Sequence, residues 1–163
     1  MKTLAFRRSS KAASPYLVLL HTASKPDAAE WTRYVATVSA TLAAHRGTMH
    51  VFIATDGGGP DASQRKELAQ VVANSSAEAL SHIFTTDAFI RGIVTAFRWI
   101  SKARAAAHLP SDLAAVCAEL GHASKDVLDD FALVQKTLPT VRTLAIIEKA
   151  FCASDVKKVW RAA

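Results

Sequence analysis

Polar residues able to do chemistry gather where apolar runs stop. The run Tyr16–Leu20 ends in His21-Thr22. The run Met49, Val51, Phe52, Ile53 ends in Thr55-Asp56-Gly57. Ala79 to Thr85 leads into Thr86-Asp87, and Ala103 to Ala107 into His108. A histidine and two carboxylates drawn to one edge are what general acid–base chemistry needs. Arg91, one turn beyond Asp87, would add a cation there. The same residues have ordinary uses: Asp87 as a helix cap, Asp56 as the start of a turn, His21 as a polar strand terminus.

The loop Gly57-Gly58-Gly59 precedes a helix start, where backbone N–H groups unshielded by Cβ can approach an anion. Pro60 removes one donor, and neither GxxxxGK[ST] nor GxGxxG is present. Ser63 follows in the first turn of the next helix, beside Arg65 and Lys66. A phosphate on it would meet the helix dipole and two cations. No Gly-x-Ser-x-Gly surrounds Ser63, so a hydrolase nucleophile is not expected. Trp99 falls off the main apolar stripe of its helix. Beside Arg98 it reads either as an exposed contact hot spot or as a second buried face. The six histidines show no metal spacing: HExxH is absent, and His45 and His50 straddle a turn. No metal and no cofactor are expected. Cys117 and Cys152 lack CxxC spacing and sit on apolar helix faces, which predicts two buried, inert thiols.

The elements that must position these residues follow from periodicity. Tyr16–Leu20 reads as a strand buried on both faces. Trp31, Tyr34, Val35, Val38 and Leu42 form one stripe, so residues 27–45 form an amphipathic helix entered through Asp27. After the second strand, Asp61 with Gln64 forms a capping box for a helix with Leu68, Val71 and Val72. Asp87 caps a helix carrying Phe89, Ile90, Ile93, Val94, Phe97 and Ile100, apolar over so much of its circumference that deep packing is expected. A weak strand at Ala103–Ala107 precedes a helix with Leu113, Val116, Cys117 and Leu120. Alternating strands and helices predict an α/β fold with a mostly parallel four- or five-stranded sheet. Thr3–Arg8 would add an edge strand. Beyond Gly121 the stripes Val127–Leu138 and Val141–Phe151, and a last short helix at Val156–Trp160, predict a helical extension that caps the sheet or forms a dimerisation hairpin. The expected organisation is an α/β domain over 1–121 and the extension over 122–163.

Half of the 163 residues are hydrophobic and roughly a fifth are alanine, the best helix former, which argues against disorder and against an all-β fold. The net charge of +6 sits at the ends: residues 1–15 hold Lys2, Arg7, Arg8 and Lys11 and no acid, while 154–163 hold Lys157, Lys158 and Arg161 against Asp155. The stretch between them is balanced, so nucleic acid is not expected on the folded core. No 18-residue apolar run spans a membrane, and no signal-peptide core follows the N-terminal cations, so a cytoplasmic location is expected.

The strand–loop–helix with Trp31 and Tyr34, the segment Thr-Asp-Gly-Gly-Gly-Pro-Asp-x-x-Gln-Arg at 55–65, and Arg-Gly-Ile-Val-Thr-Ala-Phe-x-Trp at 91–99 together resemble the small bacterial SpoIIAA-like, STAS-related domains over residues 1–120. The resemblance implies a non-enzymatic regulatory module that binds a protein partner. It also implies a Ser or Thr at the start of the second helix switched by phosphorylation. The matching position is Ser63, with Ser76 and Thr55 as weaker matches. The family's Asp-x-Ser-Gly is here Asp61-Ala-Ser63-Gln. The expected binding set is Asp56, Gly57, Gly58, Ser63, Arg65, Arg91, Arg98 and Trp99. The competing reading is a small enzyme or a nucleotide- or anion-binding domain at the strand ends near Gly57–Gly59.

Overall fold

A computed structural model describes the backbone of residues 2–9, 15–100 and 104–162, and the side chains of these residues except 96–100 and 154–162. The order is β1 (Leu4–Arg8), β2 (Tyr16–His21), α1 (Ala28–Ala43), β3 (Thr48–Thr55), α2 (Ala62–Ala73), β4 (Glu78–Phe84), α3 (Ala88–Ile100), β5 (Ala105–His108), α4 (Leu113–Glu119), α5 (Ser124–Gln135) and α6 (Arg142–Ala162). A 3-10 turn at Pro110–Asp112 leads into α4.

The five strands form one sheet in sequence order, β1-β2-β3-β4-β5. β1 pairs antiparallel with β2, Leu4 opposite His21, and the other pairs are parallel. All six residues of β2 are buried, as its unbroken apolar run requires of a strand covered on both faces. The helix starts follow the caps. The Asp27 carboxylate accepts from Glu30 N–H at 2.8 Å, and Asp61 and Gln64 form the reciprocal box.

Alternation along the strands sorts their side chains onto two faces. On one, Leu4, Leu17, Leu19, Met49 and Val51 meet Trp31, Tyr34, Val38 and Leu42 of α1, with Leu68, Val71 and Val72 of α2 at the margin. On the other, Tyr16, Val18, Leu20, Phe52, Ala54 and Phe84 meet Val116 and Cys117 of α4, Val127 and Phe131 of α5, and Leu144 and Ile147 of α6. The C-terminal helices therefore cap the second face.

Three expectations change. The helix α3 is not packed all round: Phe89 is 75% exposed and Ile93 39%. It lies along β5, an edge strand of four residues, which offers too little sheet to cover a helix of 13. The last two predicted helices are one, because no Gly or Pro interrupts 142–162. Cys117 is buried but Cys152 is exposed. Phe151 of α6 packs against the core of that face, and the next residue turns away from it.

Candidate functional site

Open parallel sheets form a ligand crevice at their carboxyl edge where the strand order reverses. Here the order from β2 to β5 never reverses. The polar residues at that edge are engaged in holding loops and helices. The Asp56 carboxylate accepts the backbone N–H groups of Arg142 and Thr143, at 2.7 and 2.8 Å, and so caps α6 from a distant loop. The Thr143 hydroxyl donates to Thr55 O at 2.9 Å in the same contact. Asp87 caps α3, accepting from Phe89 N–H at 2.8 Å and Ile90 N–H at 3.3 Å. Arg91 reaches back from α3 to donate to Thr85 O at 3.0 Å.

The glycine loop is pressed into its neighbours. Gly58 N–H donates to Thr22 O at 3.0 Å, and a Cβ on Gly58 would collide with the carbonyl oxygens of Thr22 and Ser24. Only glycine permits this approach of one loop to another. Gly57 has φ 117°, and a Cβ there would lie 3.9 Å from Asp87 Oδ2, so the β3 and β4 ends do adjoin.

The two strand-end histidines do not join them. His21 lies on the α1 face, buried, with Nδ1 unpartnered among the described atoms. Burial pulls its pKa down to about 4 against a smaller opposing pull from Glu30. His108 stacks on Phe84 on the other face, ring centroids 5.2 Å apart. The expected meeting of His21, His108 and the two aspartates is thus divided by the sheet itself.

Ser63 is the second residue of α2, exposed at the rim of an open groove of about 390 Å³. Lys25, Asp27, Trp31, Asp61 and Glu67 also line this groove. Lys25 Nζ stands 2.6 Å from Asp61 Oδ2, and Trp31 Nε1 donates to Glu67 at 2.8 Å. The Gln64 N–H and then Lys25 hold the Asp61 carboxyl below its usual range. Arg65 curls back to donate to Pro60 O at 2.7 Å. The side chains of Arg98 and Trp99 lie outside the described residues.

One cluster was not anticipated. His50 of β3, His82 of β4 and His108 of β5 share the face that carries Phe52 and Phe84. Nδ1 of His50 is 3.3 Å from Nε2 of His82, and Nδ1 of His82 is 3.4 Å from Nε2 of His108. A fourth ring, His122 in the α4–α5 turn, packs edge-on against Tyr16, His50 and Phe52 at 5.1, 5.2 and 5.5 Å. It is buried with Nε2 unpartnered among the described atoms. Burial first, and the neighbouring imidazoles second, lower His82 to about 4. Burial and then His122 lower His50, and burial lowers His122. The signal in the sequence was a histidine of matching parity in three successive strands, visible only strand against strand and not as linear spacing. Among the described residues, no group of three or more His, Cys, Asp or Glu side chains is placed to hold a metal ion, and no helix is long and apolar enough to cross a membrane. No protein-family model, curated protein or solved structure matches this chain.

Proposed function

We propose that the chain is a non-catalytic regulatory module of a bacterial signalling system that binds a protein partner through α3 and is switched by phosphorylation of Ser63. The observation that carries this reading is the apolar edge of α3. Phe89 and Ile93, one turn apart, are exposed on a helix that Asp87 and Arg91 fasten to the end of β4. A large aromatic ring exposed to solvent on a capped helix suits an apolar cleft on a partner. The strand-end carboxylates support the same reading, because both are occupied as caps and neither is left over as an acid or base. Ser63 supplies the switch. A phosphate there would sit at the N-terminus of α2, compete with Asp61 for Lys25, and repel Glu67 one turn further along the same helix.

Wild type, Phe89→Ser and Ser63→Asp, used as bait in lysate of the source cell, test this reading. Wild type is expected to retain a protein that Phe89→Ser loses and whose yield Ser63→Asp changes. Retention of the same proteins by Phe89→Ser and wild type, or of none by wild type, would overturn it.

A further inference from the structure

The sheet has two edges, and the chain treats them differently. At one edge β1 carries Arg7 and Arg8, and α1 and α5 pack against it, so that edge is guarded by charge and by cover. At the other edge β5 reads Ala-Ala-Ala-His, with no Lys, Arg, Asp, Glu or Pro within it.

The ladder between β4 and β5 fixes which backbone groups of β5 are used. Ser81 N–H donates to Arg104 O at 2.9 Å, and Thr85 N–H to His108 O at 3.2 Å. In a parallel pair the backbone of alternate residues faces the neighbouring strand. Arg104, Ala106 and His108 therefore turn their backbone groups to β4, and Ala105 and Ala107 turn theirs out of the sheet. Leu109 N–H, next in the outward row, is taken by the chain's own Asp112 carboxylate at 3.0 Å. Among the described residues, no loop or side chain does the same for the two alanines. An edge with open donors and acceptors is a template for another strand.

That edge is complementary to itself. Two copies of β5 can pair antiparallel about a two-fold axis at Ala106, with Ala105 of each opposite Ala107 of the other. Each such pair exchanges two hydrogen bonds, so every outward N–H and C=O of the alanines is used. Ala106 then meets its own counterpart at a non-hydrogen-bonded position, where Cα atoms approach to about 4.5 Å and a methyl group fits. Charge agrees with this register. β5 is entered from the exposed Arg104, which also pairs with Glu78, and it is left beside the Asp112 carboxylate. Antiparallel pairing sets the cationic end of each copy next to the acidic end of the other.

We propose that the free edge of β5 binds a second copy of the chain, joining two sheets into one through Ala105 and Ala107. This interface is separate from the partner surface on α3 and does not depend on it.

Four paired residues are few, so the dimer is expected to be weak and to form in concentrated solution. Sedimentation equilibrium on wild type should show single chains giving way to dimers as concentration rises. Hydrogen exchange followed by NMR locates the seam. The amides of Ala105 and Ala107 should exchange at least about tenfold more slowly in concentrated than in dilute solution, while those of Ala106 and His108 stay protected in both. Ala107→Pro removes an outward N–H and fills the seam without costing a bond to β4, so it should fold and remain a single chain. Wild type that stays a single chain in concentrated solution would overturn the proposal and leave the edge to a strand from another protein. Dimers of Ala107→Pro as strong as those of wild type would also overturn it, as would Ala105 and Ala107 amides whose exchange ignores concentration. The wild-type measurements decide the matter even if Ala107→Pro does not fold.

Discussion

The two faces of the sheet are covered by layers of different origin. α1 and α2 are the crossovers between strands that pair, so each is laid on its face by its immediate neighbours in the chain. α5 and α6 return from the far end of the sequence to cover the other face. They are fastened by contacts of long reach: the Tyr16 hydroxyl donates to Asp130 at 2.9 Å, Arg7 pairs with the same carboxylate, and Asp56 caps α6. Helix α5 lies over β1 and β2, and α6 over β3. On the same face β3, β4 and β5 carry His50, His82 and His108 beside the fully buried Phe52 and Phe84. The first face is therefore a packed interior set by local chain geometry. The second is an assembled one, built from segments far apart in the chain.

The sharpest way to break that contrast is to empty the assembled layer. Phe131 of α5 is fully buried against Tyr16, Val18 and Phe52. Phe131→Ala is expected to cost about 3–5 kcal/mol, the range for deleting a buried aromatic ring. Urea unfolding followed by circular dichroism measures it. A cost under about 1 kcal/mol would mean that the second layer is not part of the core.

Acid probes both faces. On the α1 face His21 is buried and held near a pKa of about 4, below the ordinary value of 6.5. The unfolded chain binds a proton there that the fold excludes, so stability falls as pH drops from about 6.5 to 4, and this group adds no further loss below that. The loss is on the order of 2–3 kcal/mol. His21→Leu should flatten the curve of unfolding free energy against pH in that window while leaving the share due to His82, whose pKa is also about 4. An unchanged curve in His21→Leu would place the whole acid response on the second face.

Asp56→Ala tests the long-range fastening alone. It removes the acceptor for two α6 N–H groups and should cost about 2 kcal/mol in urea unfolding. Asp56→Asn, which keeps one acceptor oxygen, should recover part of it.

The first face was legible in the sequence because its signals are local. The stripe from Trp31 to Leu42, the Asp27 cap and the Asp61–Gln64 box each sit within one element, and the structure forms each as read. The strand ends were legible as positions but not as a site. That Asp56 would cap α6, 86 residues away, depends on where α6 docks, which periodicity does not carry. The separation of His21 from His108 follows from parity on opposite faces of the sheet. It needed the register of β2 through β5 as well as the strand boundaries. The imidazole row was hidden for the same reason: 32 residues separate His50 from His82 and 26 separate His82 from His108, and only adjacent parallel strands make them neighbours. Helix α3 misled in the other direction. An apolar circumference ordinarily means burial, but a four-residue edge strand cannot bury it.

That exception gives the smallest expected effect on folding and the most informative contrast. Phe89 is exposed at the first turn of α3, where its backbone N–H is already satisfied by Asp87. Replacing it by Ser removes a ring that touches little, so unfolding free energy should stay within about 0.5 kcal/mol of wild type. The same change should abolish binding of any partner that takes the ring into a cleft, since an aromatic anchor of that kind is worth about 2 kcal/mol or more when truncated. Urea unfolding and the bait comparison on one preparation separate the two quantities. If Phe89→Ser destabilises the chain as Phe131→Ala does, the exposed edge belongs to the interior after all, and α3 must fold back onto the sheet in solution. If stability and binding are both unchanged, the surface that meets the partner lies elsewhere than on α3.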